Sequence, residues 1–371
     1  MYDIGIIGAG PAGATLARLV ASKHRVLLLN KDRQKCCGGI LAPESQKLLA
    51  QLDLALPLHT LANPQPFAVT VIDINSKLIN HYPRQYINIK RNKFDQWLLS
   101  LLPESVDVRS NAVYKKAGVD SKTVEVNGDY LIIHFTENDE PKTEKVRWLV
   151  GADGGASLVR DQFFGTDPRL KKYIAFQDWF DNNEIETQTD SLSSEINFQN
   201  NYVGIFDNNL TDFYCWTIPK DDQLLIGSAI PLQTKDENPL LPDARNRFKQ
   251  LKNYLSSIGL NFGQAQKQEI GLIVRPATTN AINLGRNNVL LVGEAAGFIS
   301  PTSAEGISTA LASATALANA INSNKNVLKE YKKNTKNIIW NIRLKYLKKP
   351  AMFNPRLRRI VMQSKLTALR K

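Results

Sequence analysis

Two glycine-rich stretches carry the residue types that do chemistry. In "KCCGGILAP", residues 35–43, Cys36 and Cys37 stand side by side before Gly38 and Gly39, and the only other cysteine is Cys215. Adjacent cysteines rarely bond each other, because the disulfide geometry is strained. No second cysteine pair completes a zinc site. The four histidines, His24, His59, His81 and His134, are far apart and show no metal-ligand spacing. In the second stretch, Gly8, Gly10 and Gly13 make G-x-G-x-x-G. Gly8 allows a tight turn, Gly10 lets a pyrophosphate approach the backbone, and Gly13 lets a helix pack closely on a strand. Pro11 falls near the first helical position, where its missing N–H costs little. With Ala12 it opens a helix whose N-terminus faces the phosphates.

The elements that position these residues follow from patterning. Ile4, Ile6 and Ile7 read as a buried strand, Ala12 to Ala21 as a helix, and Val26 to Leu29 as a second strand. This complete strand–helix–strand unit gives the glycine pattern its weight. An acid that grips a ribose belongs about 20 residues on, but Asn30 and Lys31 occupy that place. A second strand–turn–helix runs from Val146 to Phe164, with Gly151-Ala152-Asp153-Gly154 at the turn and Ser157 as N-cap. A third runs from Asn287 to Ile321. Its strand, Val289 to Val292, leads through Gly293-Glu294, Gly297, Pro301 and Gly306 into a small-residue helix over Glu305 to Ile321, with Ile307 in its first turn. That helix N-terminus offers free N–H groups. Elsewhere, Phe67 to Asn80 and Ile174 to Pro231 read as strands with a turn at Asp207-Asn208-Asn209, and Leu241 to Ile258 reads as a helix ended by Gly259.

A chain of 371 residues, 43% hydrophobic, is long enough for a large core in two domains. Three cysteines, a low and odd count, fit a reducing cytoplasm. The start lacks the pattern of a secretory signal. No run of 18 apolar residues is present to make a transmembrane helix. Charge is uneven. Residues 325–371 hold 15 Lys or Arg and one acid, Glu330, for a net of +14, while the remainder holds 32 basic and 34 acidic residues, a net of −2. Leu328, Tyr331, Thr335, Ile338, Ile339, Ile342 and Tyr346 form a helical stripe suited to docking on the body, and Pro350 is expected to end that helix. The lysines off the stripe suit peripheral contact with an anionic membrane. Nucleic acid is the competing use of such charge, ranked lower because no nucleic-acid module is present.

The three motifs in this order resemble flavoproteins of the para-hydroxybenzoate hydroxylase fold, and within them the geranylgeranyl reductase branch, most like its bacterial CbrA-like members. The resemblance covers the chain to about residue 320. It implies an α/β fold: a Rossmann-like FAD-binding domain with an inserted mixed or antiparallel-sheet substrate domain and a basic helical C-terminal tail. The corresponding segments are 1–60, 84–165 and 270–322 for FAD, 61–83 and 166–269 for substrate, and 323–371 for the tail. It implies bound FAD, contacted or shaped by Gly8, Gly10, Pro11, Ala12, Gly13, Asn30, Lys31, Gly38, Gly39, Asp153, Gly154, Gly293, Glu294, Gly297, Gly306 and Ile307. Glu294 stands one methylene longer than the usual Asp. The segment "RNKFDQWL" resembles the family's R-x-x-F-D, which makes Arg91 a cofactor neighbour or a surface salt bridge. An anionic flavin oxygen would sit at the Gly306–Ile307 helix start.

The branch carries a Cys-Gly segment that Cys37-Gly38-Gly39 matches, implying a cysteine near flavin or substrate. There Cys37 either donates the proton opposite the hydride or only packs. Cys36 has no match and reads as packing. "DFYCWTIPK", residues 212–220, resembles the branch's P-x-x-Y-x-W-x-F-P, with Thr211 and Ile218 as departures. Tyr214 and Trp216 share a strand face and would wall a cavity for an apolar chain. The expected activity is FAD-dependent reduction of a carbon–carbon double bond in an isoprenoid or similar substrate, with hydride from reduced flavin N5. The reductant would be NAD(P)H or a reduced carrier protein. The rivals are an FAD-dependent monooxygenase and a non-catalytic flavin redox sensor at the membrane.

Overall fold

Strands Tyr2–Ile7 and Val26–Leu29 are apolar without alternation, and Ile4, Ile6, Leu27 and Leu28 are buried, as in strands covered on both faces. They pair in parallel, Ile4 opposite Val26 and Ile7 opposite Leu29. The computed structural model describes residues 1–115, 124–127, 130–188, 191–192, 196–232, 234–235, 238–239, 241–323 and 325–364. Its first sheet runs in the order Gly285–Arg286, Val289–Leu291, Glu140–Gly151, Tyr2–Ile7, Val26–Leu29, Val106–Arg109. The strand Tyr130–Glu137 joins antiparallel to Glu140–Gly151 and carries Ala112–Tyr114 and Val124–Asn127. Four helices accompany this sheet: α1 (Pro11–Val20), α2 (Pro43–Gln51), α3 (Arg91–Ser100) and α4 (Leu158–Phe164).

The second sheet runs Lys267–Pro276, Leu170–Asp181, Gln223–Pro231, Cys215–Lys220, Tyr202–Phe206, Ala68–Asp73, Leu78–Pro83. All its pairs are antiparallel except Tyr202–Phe206 with Ala68–Asp73. Residues 68–83 thus join a sheet formed mostly by residues 170–276. Strand Lys267–Pro276 spans the boundary expected at 269/270 and lies wholly in this sheet. Alternation splits the strands between two cores. Leu224, Ile226 and Ile230 pack with helix α5 (Leu241–Ser257), whereas Leu225, Ala229, Trp216 and Ile218 point to the opposite face, towards Cys36 and Ile40. Helix α6 (Ile307–Ile321) then returns to the first sheet, where Ile307 and Leu311 share a core with Ala14, Leu49, Phe94 and Trp97.

The tail forms α7 (Val327–Asn334), α8 (Lys336–Phe353) and α9 (Pro355–Ser364), and Lys365 to Lys371 lie outside the described residues. Its helical stripe docks on the body. Tyr331 is fully buried and donates to the Leu291 carbonyl at 2.9 Å, Ile342 is buried, and Leu328, Ile338, Ile339 and Tyr346 pack against the same core. The expected stop at Pro350 does not occur, because α8 runs three residues further. Proline there removes one N–H and costs about 3 kcal/mol. Docking offsets this: Phe353 stacks on Phe213 and under the Arg275 guanidinium. Beyond it, Arg358 donates to Asp73 at 2.9 Å, with side chains 5% and 0% exposed. No described helix is long and apolar enough to cross a membrane.

Candidate functional site

The turn into α1 is a cradle of backbone. Gly8 has φ +104°, and a Cβ on Gly13 would lie 1.8 Å from the Gly8 carbonyl oxygen. Gly10 caps the helix without a side chain, and a Cβ there would meet nothing within 4 Å. Behind the proline at N1, the N–H groups of Ala12 and Gly13 have no intrahelical acceptor. The Glu294 turn comes close to this cradle, because Gly293, at φ +60°, puts its backbone where a Cβ would be 3.0 Å from Ala12 Cβ. Gly297 closes the turn at φ +87°. Asn30 turns its amide to Asp32 at 2.5 Å, and the Asp32 carboxylate also accepts from Asn111 N–H at 2.7 Å. The first carboxylate beyond strand Val26–Leu29 is thus Asp32, two residues after Asn30, and it is tied to the Asn30 side chain and the Asn111 backbone. Lys31 beside it is exposed.

Around this cradle stand the other expected residues. Asp153 accepts from Leu158 and Val159 N–H at 2.8 and 3.2 Å through one oxygen, while its other oxygen, Oδ1, is buried without a partner. Burial pushes its carboxyl above the usual range. Ser157 caps α4 as expected, accepting from Arg160 N–H at 2.9 Å. A Cβ on Gly154, at φ +77°, would meet nothing within 4 Å. Glu294 accepts from Val274 N–H at 3.1 Å and pairs with Lys35 at 2.7 Å, and this pairing holds the Lys35 ammonium above its ordinary value. The start of α6 differs from expectation. Ser308 N–H there is not free but donates to Glu305 at 2.7 Å, and Glu305 also accepts from Ser45 Oγ at 2.7 Å. A carboxylate at a helix N-terminus is favoured by the dipole, and Glu305 precedes Gly306 and Ile307 in the right place to provide it.

Cys37 lies where the two sheets meet. Its Sγ accepts from Gly39 N–H at 3.4 Å, and the Arg91 guanidinium also reaches it. Arg91 opens α3 and forms the expected salt bridge, with Asp95 at 2.9 Å, the two side chains 11% and 25% exposed. Across from Cys37 runs the strand Cys215–Lys220, whose alternation presents Trp216, Ile218 and Lys220 on one face. A Cβ on Gly38 would lie 2.6 Å from Ile218 Cδ1. Lys220, 5% exposed, donates to the Gly39 carbonyl at 2.9 Å, the Ile89 carbonyl at 2.8 Å and Asn88 Oδ1. Burial lowers its ammonium from the ordinary 10.5 to about 7, against the pull of Cys37 and Asp221. Three acceptors match the three N–H bonds of the charged form.

Tyr214 donates to the Ser303 carbonyl at 2.8 Å, tying the second sheet to the loop before α6. Its ring meets Trp216 edge-on at 5.8 Å, and Tyr86 meets Tyr202 likewise at 5.5 Å. Burial raises the Tyr214 hydroxyl well above its usual range, so it remains a donor. Trp216 packs flat against Gly227, where a Cβ would be 2.4 Å from Trp216 Nε1. Cys36 accepts from Gln177 Nε2 at 2.8 Å and presses on Gly271. Burial pushes its thiol up to about 12, so it stays protonated. Cys215 is buried on the other face, in the core against α5. Sequence reasoning missed Lys35, Asp32, Lys220 and Glu305. The one available signal was for Lys220, which continues the Tyr214–Trp216–Ile218 alternation.

Residues 1–343 match the family described as FAD binding domain. The chain is 35% identical to Protein CbrA of Escherichia coli O6:H1 over 371 residues, covering 98% of this chain and 93% of that one. Its fold resembles a geranylgeranyl bacteriochlorophyll reductase-like protein from Thermoplasma acidophilum, with TM-score 0.66, 18% identity, and coverage of 99% and 88%. It equally resembles PqsL, a probable FAD-dependent monooxygenase from Pseudomonas aeruginosa, with TM-score 0.66, 15% identity, and coverage of 98% and 99%. The chain belongs to the FAD binding domain family and is an FAD-dependent oxidoreductase. Its residues fit that cofactor. The free space before Gly10, the open N-terminus of α1 and the partnerless buried Oδ1 of Asp153 are features a dinucleotide would complete.

Proposed function

We propose that this FAD-dependent oxidoreductase reduces a carbon–carbon double bond in an isoprenoid or similarly apolar substrate. One observation carries the reading: the Cys37 loop is clamped by Lys220 against the strand that bears Trp216 and that Tyr214 immediately precedes. A thiol and an aromatic wall thus share one junction, with Tyr214 fastened to the loop that precedes α6. FAD, when bound in reduced form, supplies a hydride equivalent. Gly8, Gly10 and Gly13 shape its pyrophosphate seat, with Pro11 and Ala12 opening the helix behind it. Asn30 and Asp32, with Lys31 beside them, would hold the ribose. Asp153, Gly154, Gly293, Glu294, Gly297, Gly306 and Ile307 would hold the rest of the cofactor. The Cys37 thiol donates the proton that completes the saturated product. Arg91 and Gly39 N–H hold that thiol in place. Tyr214 and Trp216 exclude water and hold the apolar chain. The chain has no second G-x-G-x-x-G, which favours a transient NAD(P)H or a reduced carrier protein as electron source.

The test is to mix photoreduced, FAD-loaded protein with polyprenyl lipids, first without oxygen and then in air, and to weigh the lipids. Products heavier by two hydrogens without oxygen are expected. Products that gain an oxygen atom only in air overturn the reading and make the protein a monooxygenase. Cys37→Ala is expected to slow product formation about a hundredfold, the scale of a lost general acid, with flavin content unchanged. Cys36→Ala leaves the rate as it was. Unchanged turnover in Cys37→Ala would reduce Cys37 to packing.

A further inference from the structure

The tail that docks through one face leaves another face apolar and uncovered. Among the described residues, twelve large hydrophobic side chains are exposed, and six of them, Trp340, Leu344, Leu347, Leu357, Ile360 and Val361, fall within residues 340–361. The concentration is not a product of composition, because these residues are spaced to share helix faces. Trp340, Leu344 and Leu347 stand at i, i+4 and i+7 on α8. Leu357, Ile360 and Val361 stand at i, i+3 and i+4 on α9. Trp340 is 58% exposed, Leu347 77% and Ile360 62%. These faces cannot turn inward. The opposite side of α8 is committed to the body through Ile342 and Tyr346, and that of α9 through Arg358 on Asp73 and Met362, whose carbonyl accepts from Asn80 at 2.8 Å.

Basic residues flank both stripes. Lys336, Arg343 and Lys348 border the one on α8, and Arg356 lies on the flank of the one on α9. Among the described residues, Lys336, Lys348 and Arg356 enter no ion pair. An apolar stripe with a tryptophan and cationic margins is the pattern of a helix lying in a membrane interface. We propose that the outer faces of α8 and α9 bind the surface of an anionic lipid bilayer, with Trp340, Leu344, Leu347, Leu357, Ile360 and Val361 entering the headgroup–acyl boundary and the flanking lysines and arginines on the lipid charges. Charge complementarity selects this occupant. A second copy meeting this face in a two-fold dimer would oppose one +14 segment to another. A nucleic acid would use the cations and leave the aliphatic side chains in water. The surface is distinct from the stripe of Tyr331 and Ile342, which is consumed in docking.

The test is sedimentation of the full-length, FAD-loaded protein with sucrose-loaded vesicles, of phosphatidylcholine alone or mixed with phosphatidylglycerol, at low and high salt. Binding is expected only to the mixed vesicles, weakening with salt, with a blue shift in tryptophan emission that Trp340→Phe removes. Leu347→Ser/Ile360→Ser and, separately, Lys336→Glu/Lys348→Glu should each weaken binding by about tenfold or more, since a surface cation or a buried aliphatic each contributes several-fold. All these positions are exposed, so melting temperature and flavin content remain as in the parent and report on folding. Three outcomes overturn the proposal. One is no binding to mixed vesicles. Another is binding that Lys336→Glu/Lys348→Glu abolishes and Leu347→Ser/Ile360→Ser leaves intact, matched by equal binding to duplex DNA. The third is a dimer that Leu347→Ser/Ile360→Ser dissociates. No turnover is read, so the proposal stands or falls apart from the double-bond reaction.

Discussion

The turn at Gly8–Gly13 and the loop at Cys36–Gly39 are both glycine-rich, and they are made in opposite ways. The first is closed within six residues. Gly13 lies so near the Gly8 carbonyl that only a hydrogen fits, and the free N–H groups come from the helix it begins. The second has no local closure beyond one N–H to sulfur contact. Its Gly39 carbonyl is gripped by Lys220, 181 residues away, which also holds Asn88 and Ile89. One is a local backbone device, and the other is a joint between two sheets.

Substitutions at two of the three glycines of the first turn give the largest expected effects and divide folding from binding. Gly13→Ala drives a methyl into a backbone oxygen that cannot retreat, at 1.8 Å. It should cost about 3 kcal/mol or more, the upper range for overpacking, and should abolish flavin retention. Gly10→Ala meets nothing within 4 Å and sits at φ −72°. It should leave thermal stability within about 1 kcal/mol and still weaken FAD binding at least tenfold, because its methyl occupies the space a pyrophosphate needs. Denaturant melts and flavin fluorescence of the two variants make the measurement. Equal flavin binding by Gly10→Ala and its parent would remove the pyrophosphate from that position.

The same contrast explains what was legible in the sequence. Gly8, Gly10, Gly13, the Ser157 cap and the strand Val26–Leu29 announce themselves because each is specified by neighbours within a few residues. Asp32 escaped because the backbone turns left-handed there, at φ +52°, and carries its carboxylate back to Asn30. Glu305 escaped because it reads as the first helical residue, whereas its side chain caps the turn it precedes. Pro350 misled because a single lost N–H was weighed without the docking of Phe353. Lys220 reads as an ordinary strand-end lysine until Gly39 and Ile89 are placed around it. The docked stripe of the tail was visible as periodicity. The exposed one was masked by it, since both have the same helical spacing and only contact with the body tells them apart.

Lys220 tests the joint. In Lys220→Met the carbonyls of Gly39 and Ile89 lose a buried donor, which should cost about 2–3 kcal/mol with the Gly8–Gly13 turn and flavin affinity little changed. Its pH signature is more specific. The unfolded lysine binds its proton below 10.5, and the folded one only below about 7. Between these values the unfolded chain holds the extra proton, so stability rises with pH, with a slope approaching about 1.4 kcal/mol per pH unit from this group. Below about 7 both states are protonated and the contribution is flat. The difference between parent and Lys220→Met, measured by denaturant melts from neutral pH upward, should therefore grow with pH. A difference that stays constant would mean that the three acceptors keep Lys220 fully charged.

Tyr214→Phe gives the smallest effect, at a side chain that joins the second sheet to the loop before α6. The ring, with its edge contact to Trp216 and its neighbours Phe206 and Phe213, remains in place. The hydrogen bond to the Ser303 carbonyl is lost, and with it the acceptor of the buried Tyr202 hydroxyl. Losing one bond and leaving a buried hydroxyl without its acceptor costs about 1–2 kcal/mol. If Tyr214 serves as an apolar wall, product formation from a polyprenyl lipid should change less than about threefold, well under the hundredfold scale of a lost proton donor. If the hydroxyl itself delivers the proton, its loss would reproduce the slowing expected of Cys37→Ala, and the roles of the two residues would have to be exchanged. The buried hydroxyl, held above its usual range, keeps its proton at neutral pH and spends it on Ser303. That is the geometry of a strut, and it assigns the chemistry of the joint to the thiol on its other side.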